Sequence, residues 1–196
     1  MAQIMCGLDE AGRGPIAGPV CVGAVILPPD FPVQALDDSK KLSEKKRFEA
    51  EKLIKEKCVW GLGIVDHETI DKINILQASL YAMSLAFEML LIRLPAWCEV
   101  SGCKIEPENI FALADGTFCP KISCPCRAEA KVDGKYPAVM AASIIAKTAR
   151  DRLMIEYDKQ FPKYMYSKHK GYPTLEHRKI CRELGPSPIQ RLTFKY

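Results

Sequence analysis

The chain has 196 residues, enough for one domain with a sizeable core and for two small ones at most. Hydrophobic residues make up 48% and charged residues 27%, which excludes a disordered or low-complexity protein. With 28 basic residues against 24 acidic ones the net charge is only +4, so a surface for a polyanion has to come from local clustering.

In chain order, the apolar run Gln3 to Leu8 ends at a glycine loop, and a second run, Val20 to Leu27, is closed by Pro28-Pro29. The two are close enough to pair as antiparallel neighbours. Ser43 suits the N-cap of a helix running to about Cys58, and Val59 to Val65 reads as a third strand. A long helix is predicted from Asn74 to Leu94, where Ile75, Leu76, Leu80, Met83, Phe87 and Leu91 fall at helical spacing. Glu88 and Arg93 interrupt its most apolar part, which argues against a membrane span. Short strands are predicted next at Ile110 to Ala114 and Ala128 to Val132, then a helix opened by Pro137 and carrying Ala138 to Tyr157. Strands first, then strands alternating with helices, predict an α/β domain with a mixed central sheet.

No charged start followed by a long apolar stretch marks a signal peptide, so the expected protein is soluble and cytoplasmic. Nine cysteines are then expected as reduced thiols. Cys98, Cys103, Cys119, Cys124 and Cys126 miss the paired Cys-x2-Cys spacing of a zinc site.

Three apolar runs end in acids: Leu8 into Asp9-Glu10, Ala114 into Asp115, and Val132 into Asp133. Each is also a turn signal, since acids beside glycine make local hydrogen bonds. If the three strand ends share one sheet edge, however, four carboxylates converge and need neutralising cations or protonation to coexist. Oxygen-only ligands favour Mg²⁺ or Mn²⁺, and such a cluster suits metal-activated water attacking phosphorus. Because Asp9 and Glu10 are consecutive, a regular strand would turn them opposite ways, so a bend is expected there. Gly12-Arg13-Gly14 lacks the Lys-Ser/Thr ending of a P-loop. Between Lys163 and Arg182, six basic residues against one acid are interleaved with Tyr164, Tyr166 and Tyr172, a pattern that suits nucleic acid. Ser143, Lys147 and Arg150 share a helix face, and Lys147 can meet either a phosphate or Asp151.

Taken together, these residues resemble ribonuclease HII, the bacterial type 2 ribonuclease H family. The matching pieces are Gly-Leu-Asp-Glu-Ala-Gly-Arg-Gly-Pro at 7–15, Asp-Asp-Ser-Lys-Lys-Leu-Ser at 37–43 and Ala-Asp-Gly at 114–116. Ala-Ala-Ser-Ile-Ile-Ala-Lys-Thr-Ala-Arg-Asp at 141–151 and His-Lys-Gly-Tyr-Pro-Thr at 169–174 complete them. Ribonuclease HIII is similar to a lesser degree, with Thr in place of Arg13.

The resemblance implies a ribonuclease H-like fold in a single catalytic domain, 1–196, whose residues from about 163 form a basic helical C-terminal part. It implies an endonuclease that cuts the RNA strand of RNA–DNA hybrids and single ribonucleotides embedded in duplex DNA, as ribonucleotide excision repair requires. Asp9, Glu10, Asp115 and Asp133 would hold Mg²⁺ or Mn²⁺. Gly12, Arg13 and Gly14 would read the ribose 2′-hydroxyl, Tyr172 would stack on the neighbouring sugar, and Ser39, Lys40, Ser143 and Lys147 would lie along phosphates. A monomer is the default, and the family suggests a clamp-type partner held by a C-terminal tail. Two departures stand out. Pro95 to Asn109 looks like an enlarged surface loop, and Gln190-Arg191-Leu192-Thr193-Phe194 replaces the family's His-Arg-x-Ser-Phe.

Overall fold

The computed structural model describes residues 3–36, 42–132 and 134–195. Five strands form one mixed sheet in the order β3-β2-β1-β4-β5. Strands β1 (Ile4–Ala11), β2 (Val20–Ile26) and β3 (Val59–Val65) make an antiparallel meander, and β4 (Ile110–Asp115) and β5 (Cys126–Glu129) add in parallel on the other side of β1. The mixed sheet expected from the pattern is therefore present. β2 is buried along its whole length, which is why it reads as an unbroken apolar run.

Helices cover both faces. α1 (Glu44–Lys57) begins where expected, with the Ser43 hydroxyl accepting from the Lys46 N–H at 3.4 Å. α2 runs from His67 to Ser101 but breaks at Asn74, whose φ of 66° is not helical. Asn74 Oδ1 accepts from the N–H groups of Leu76 and Gln77 at 3.0 and 3.1 Å, so it caps the long second part of the helix. The predicted start at Asn74 is thus a real cap. The end differs: the helix passes through Pro95 and stops at Gly102, so the first half of the expected loop is helical. Trp97 secures this extension by donating to the Lys57 carbonyl at 3.0 Å. By length and composition α2 could cross a membrane, but its Ala78, Ala82, Met83, Ala86 and Phe87 face is buried in the core under the sheet.

α3 (Pro137–Gln160) lies on the opposite face. It comes so close that a Cβ at Gly7 would sit 2.2 Å from Ala138 and one at Gly23 would sit 2.2 Å from the Ala142 carbonyl oxygen. The small side chains of Ala138, Ala141, Ala142 and Ala146 permit this approach. β5 corrects an expectation: it covers Cys126–Glu129 rather than Ala128 to Val132, and the chain turns at Lys131 (φ 61°) before Asp133. Glu129, the last residue of the strand and paired in register with Asp115, is held by Arg127 and by Lys135 at 3.3 Å.

Beyond α3 the chain forms α4 (Tyr166–His169) and α5 (Leu175–Leu184). Here the expected tyrosine pattern divides. Tyr166 is fully buried and shares a hydrogen bond with Ser187, and Tyr164 stacks on it; only Tyr172 is exposed. His169 and His177 stack face to face with ring centroids 4.0 Å apart. His169 Nδ1 accepts from the Gly171 N–H at 3.2 Å while its Nε2 donates to the Tyr164 carbonyl at 2.8 Å, and His177 Nδ1 donates to the Tyr172 carbonyl at 2.9 Å. The His169 ring is therefore neutral, burial lowers the His177 pKa, and the pair braces the turn that presents Tyr172.

This packing makes two outcomes measurable. Gly23→Ala forces a methyl into the α3 backbone and should destabilise the chain by ~1–3 kcal/mol, measured by denaturant titration. Burial, and next the facing His177 ring, push the His169 pKa down to about 4. The unfolded chain therefore binds more protons between pH 6.5 and 4, and stability falls as pH drops through that window. Each kcal/mol so lost lowers Tm by roughly 2–4 °C in a chain of this size. His169→Gln should flatten the slope of Tm between pH 7 and pH 5.

Candidate active site

Asp9 and Asp115 stand side by side. Parallel pairing sets Leu8 against Ala114, so the next residue on each strand meets its neighbour at the carboxyl ends of β1 and β4. Alternation fixes the face. Cys6 and Leu8 belong to the core under α2, whereas a side chain at Gly7 would strike α3, so Asp9 points toward α3. Leu113 packs with Val132 and Val139, which puts Asp115 on the same face. Ser143 of α3 hydrogen-bonds the Asp9 carboxylate, and the Glu10 N–H donates to Asp9 Oδ1 at 2.7 Å. Asp115 Oδ1 accepts from the Val132 N–H at 3.2 Å, tying the segment before Asp133 to the site.

The bend expected at Asp9-Glu10 comes later. β1 stays paired with β2 as far as Ala11 opposite Cys21, and only its pairing with β4 ends at Leu8. The turn falls at Gly12, whose φ is 106°. Glu10 reaches Arg13 Nη1 at 3.3 Å.

Burial, then the neighbouring Glu10, and further Asp115 hold the Asp9 carboxyl well above the usual carboxylate range, against the opposing Ser143 hydrogen bond. A divalent cation would relieve this strain, and an all-oxygen donor set fits Mg²⁺ or Mn²⁺. Among the described residues no three His, Cys, Asp or Glu side chains form a ready metal cage. Asp133, Ser39 and Lys40 lie outside the described residues. All nine cysteines are free thiols, four of them buried.

Beside the acids, Glu10, Gly12, Arg13, Gly14, Ser143, Lys147 and Tyr172 line one cleft of about 180 Å³. The residues to which the resemblance gave substrate roles, from the loop after β1, from α3 and from the turn before α5, thus stand in one place. Gly14 has Tyr172 Cε1 as its nearest neighbour, 3.6 Å from where a Cβ would stand. Lys147 lines the cleft and pairs with Asp151 at 2.6 Å, so of its two alternatives the structure has the pairing with Asp151. Arg150 departs from its expected neighbours: it turns behind the loop and is buried. Arg191 joins it there. Sequence reasoning missed both as site residues, although Arg191 sits in the very stretch that departs from the family pattern.

Residues 6–196 match the family described as Ribonuclease HII. A ribonuclease HII from Treponema denticola is 50% identical, covering 97% of this chain and 98% of that protein. One from Dechloromonas aromatica is 44% identical, over 97% of this chain and 90% of that protein. Among solved structures, ribonuclease HII of Archaeoglobus fulgidus, in a complex with PCNA, superposes with a TM-score of 0.75 at 26% identity over 98% of this chain and 96% of that one. Ribonuclease H2 of Pyrococcus horikoshii shares the fold, with a TM-score of 0.70 at 24% identity over 97% and 93%. With a matching family signature across nearly its whole length and a carboxylate pair at the sheet edge, the chain belongs to the ribonuclease HII family and has its ribonuclease H-like fold.

Proposed function

We propose that this enzyme hydrolyses the RNA strand of RNA–DNA hybrids and cuts at single ribonucleotides in duplex DNA, leaving 5′-phosphate and 3′-hydroxyl ends. The observation that carries this reading is the juxtaposition of Asp9 and Asp115 on one face, next to a cleft walled by a glycine loop and an exposed tyrosine. Asp9, Glu10, Asp115 and Asp133 would hold two Mg²⁺ or Mn²⁺ ions. When bound, such ions supply an activated water and stabilise the attacking and leaving oxygens of an in-line displacement.

The remaining work falls to the chain's own groups. Ser143 orients the Asp9 carboxylate, keeping one of its oxygens aligned while burial excludes competing water. The Gly12-Arg13-Gly14 backbone lies open to the cleft, where amide groups can meet a 2′-hydroxyl, the one group that separates RNA from DNA at a given position. Tyr172, 43% exposed and braced by the histidine pair, offers a flat face for the sugar of the next nucleotide. Lys147 and Arg13 supply positive charge for flanking phosphates, with Ser39 and Lys40 assigned the same role. The Archaeoglobus protein's complex with PCNA supports, by likeness, a sliding-clamp partner for this chain as well.

The test is cleavage of a DNA duplex carrying one ribonucleotide, with Mg²⁺ or Mn²⁺ titrated. Asp9→Asn should cut the rate by more than the roughly 10–100-fold that loss of an outer-shell partner costs. Full activity in that variant would falsify the metal assignment, and retention of the duplex without cleavage by the wild type would indicate a binding module. Tyr172→Ala should lose more activity at an RNA–DNA junction than inside a uniform hybrid; equal losses would rule out sugar stacking.

A further inference from the structure

Two fully buried guanidinium groups stand behind the glycine loop. Arg191 donates to five backbone carbonyls: Gly12 at 2.7 Å, Pro15 at 2.8 Å, Gly18 at 2.9 Å, Pro19 at 3.1 Å and Arg13 at 3.3 Å. Arg150 donates to Pro19 at 2.9 Å, Ala17 at 3.1 Å and, across the site, to Lys170 at 2.9 Å, just before the turn that presents Tyr172. Every hydrogen bond of this pair among the described residues ends on a peptide oxygen, none on a carboxylate. Two like charges buried without a bonded counter-ion are costly, and packing alone could have been met by apolar side chains. The arrangement therefore calls for a purpose beyond filling space.

The geometry of a trans peptide supplies one. The carbonyl of one residue and the N–H of the next point in opposite directions. Drawing the Gly12 oxygen inward turns the Arg13 N–H outward, and drawing the Arg13 oxygen inward does the same for the Gly14 N–H. Neither amide donates a hydrogen bond to another described residue. Both flank the cleft whose other wall is Tyr172. A guanidinium fork is also the side chain best suited to this task, because its five donors are rigid and remain charged, whereas an ammonium is a single point.

We propose that Arg191, backed by Arg150, is the positioning residue that sets discrimination for a 2′-hydroxyl, by locking the peptide planes on either side of Arg13 with their N–H groups facing the cleft. The inference rests on the proposed function, since it concerns how that same cleft reads ribose. Asp71 is a second handle on the device. Its carboxylate takes the Leu192 N–H at 2.7 Å, the Thr193 N–H at 3.1 Å and the Thr193 hydroxyl at 2.5 Å, so it holds the backbone just after Arg191 from outside.

The experiment measures binding of the full chain, in Ca²⁺ without turnover, to two duplexes of one sequence, one with a single ribonucleotide and one all-deoxy. Wild type, Arg191→Lys and Asp71→Asn are compared, each with a Tm. In Arg191→Lys the ratio of the two affinities should fall roughly 3–10-fold, the worth of one hydrogen bond, while all-deoxy affinity stays unchanged. Asp71→Asn should shift the ratio in the same direction by less. A folded Arg191→Lys with an unchanged ratio, or a parallel loss on both duplexes, would overturn the proposal. If Arg191→Lys does not fold, an unchanged ratio in Asp71→Asn overturns it and a reduced ratio supports it. A wild type that does not distinguish the duplexes, or does not cleave the ribonucleotide duplex with Mg²⁺ or Mn²⁺, would refute the function on which the inference rests instead.

Discussion

The pairing of Leu8 with Ala114 is the contact on which the site depends. In a sheet the side-chain period is two, so a slip of one residue would send Asp9 and Asp115 to opposite faces. The slip is opposed from both sides. Leu8 and Ala114 belong to the core beneath α2, and Gly7 is pressed against the α3 backbone. Packing chosen for its fit thus also fixes which carboxylates meet. The same close approach of α3 brings Ser143 to Asp9, so the helix that stabilises the sheet also orients the acid.

Charge is arranged in two layers about the loop after β1. In front, burial, Glu10 and Asp115 raise the cost of ionising Asp9 and favour a cation. Behind, Arg150 and Arg191 are buried, and among the described residues their hydrogen bonds end on carbonyl oxygens. Burial lowers the pKa of both guanidiniums, and in Arg191 the nearby Arg150 adds to it. Each layer alone is strained. Residues 12–19 separate them, with their oxygens turned to the rear and the acids ahead.

Much of this was legible in the sequence wherever a local rule decided the outcome. The third strand falls on Val59–Val65 as its apolar run indicates, and Ser43 and Asn74 cap helices because their side chains meet orphan N–H groups. The acids were legible because the carboxyl end of a strand in an α/β sheet lies at the ligand-binding edge. The features that escaped were decided by tertiary partners. β5 stops at Glu129, whose side chain is held by two cations, and the helix runs on through Pro95 to where Trp97 is anchored on Lys57. Tyr166 looked like part of a nucleic-acid surface, yet it lies in the core with Ser187. Arg191 lay in a stretch comparable with the family's, but nothing local pointed to its acceptors, since Gly18 and Pro19 lie 173 and 172 residues away in sequence.

The two glycines that flank Arg13 then have different causes, although they read as one motif. Gly12 has a φ of 106° and would place a Cβ 2.3 Å from Arg150 Nε, so the turn and the guanidinium behind it leave no room for a side chain. Gly14 has no such backbone requirement, and the atom nearest to its missing Cβ is Tyr172 Cε1, across the cleft. One glycine is required by the support, and the other keeps the cleft open toward Tyr172. Between them the Arg13 carbonyl is held from the rear at 3.3 Å by Arg191, while the Arg13 side chain reaches forward to Glu10 at 3.3 Å. The residue at the middle of the loop is therefore tied at both ends, one to the buried cation and one to the acid cluster.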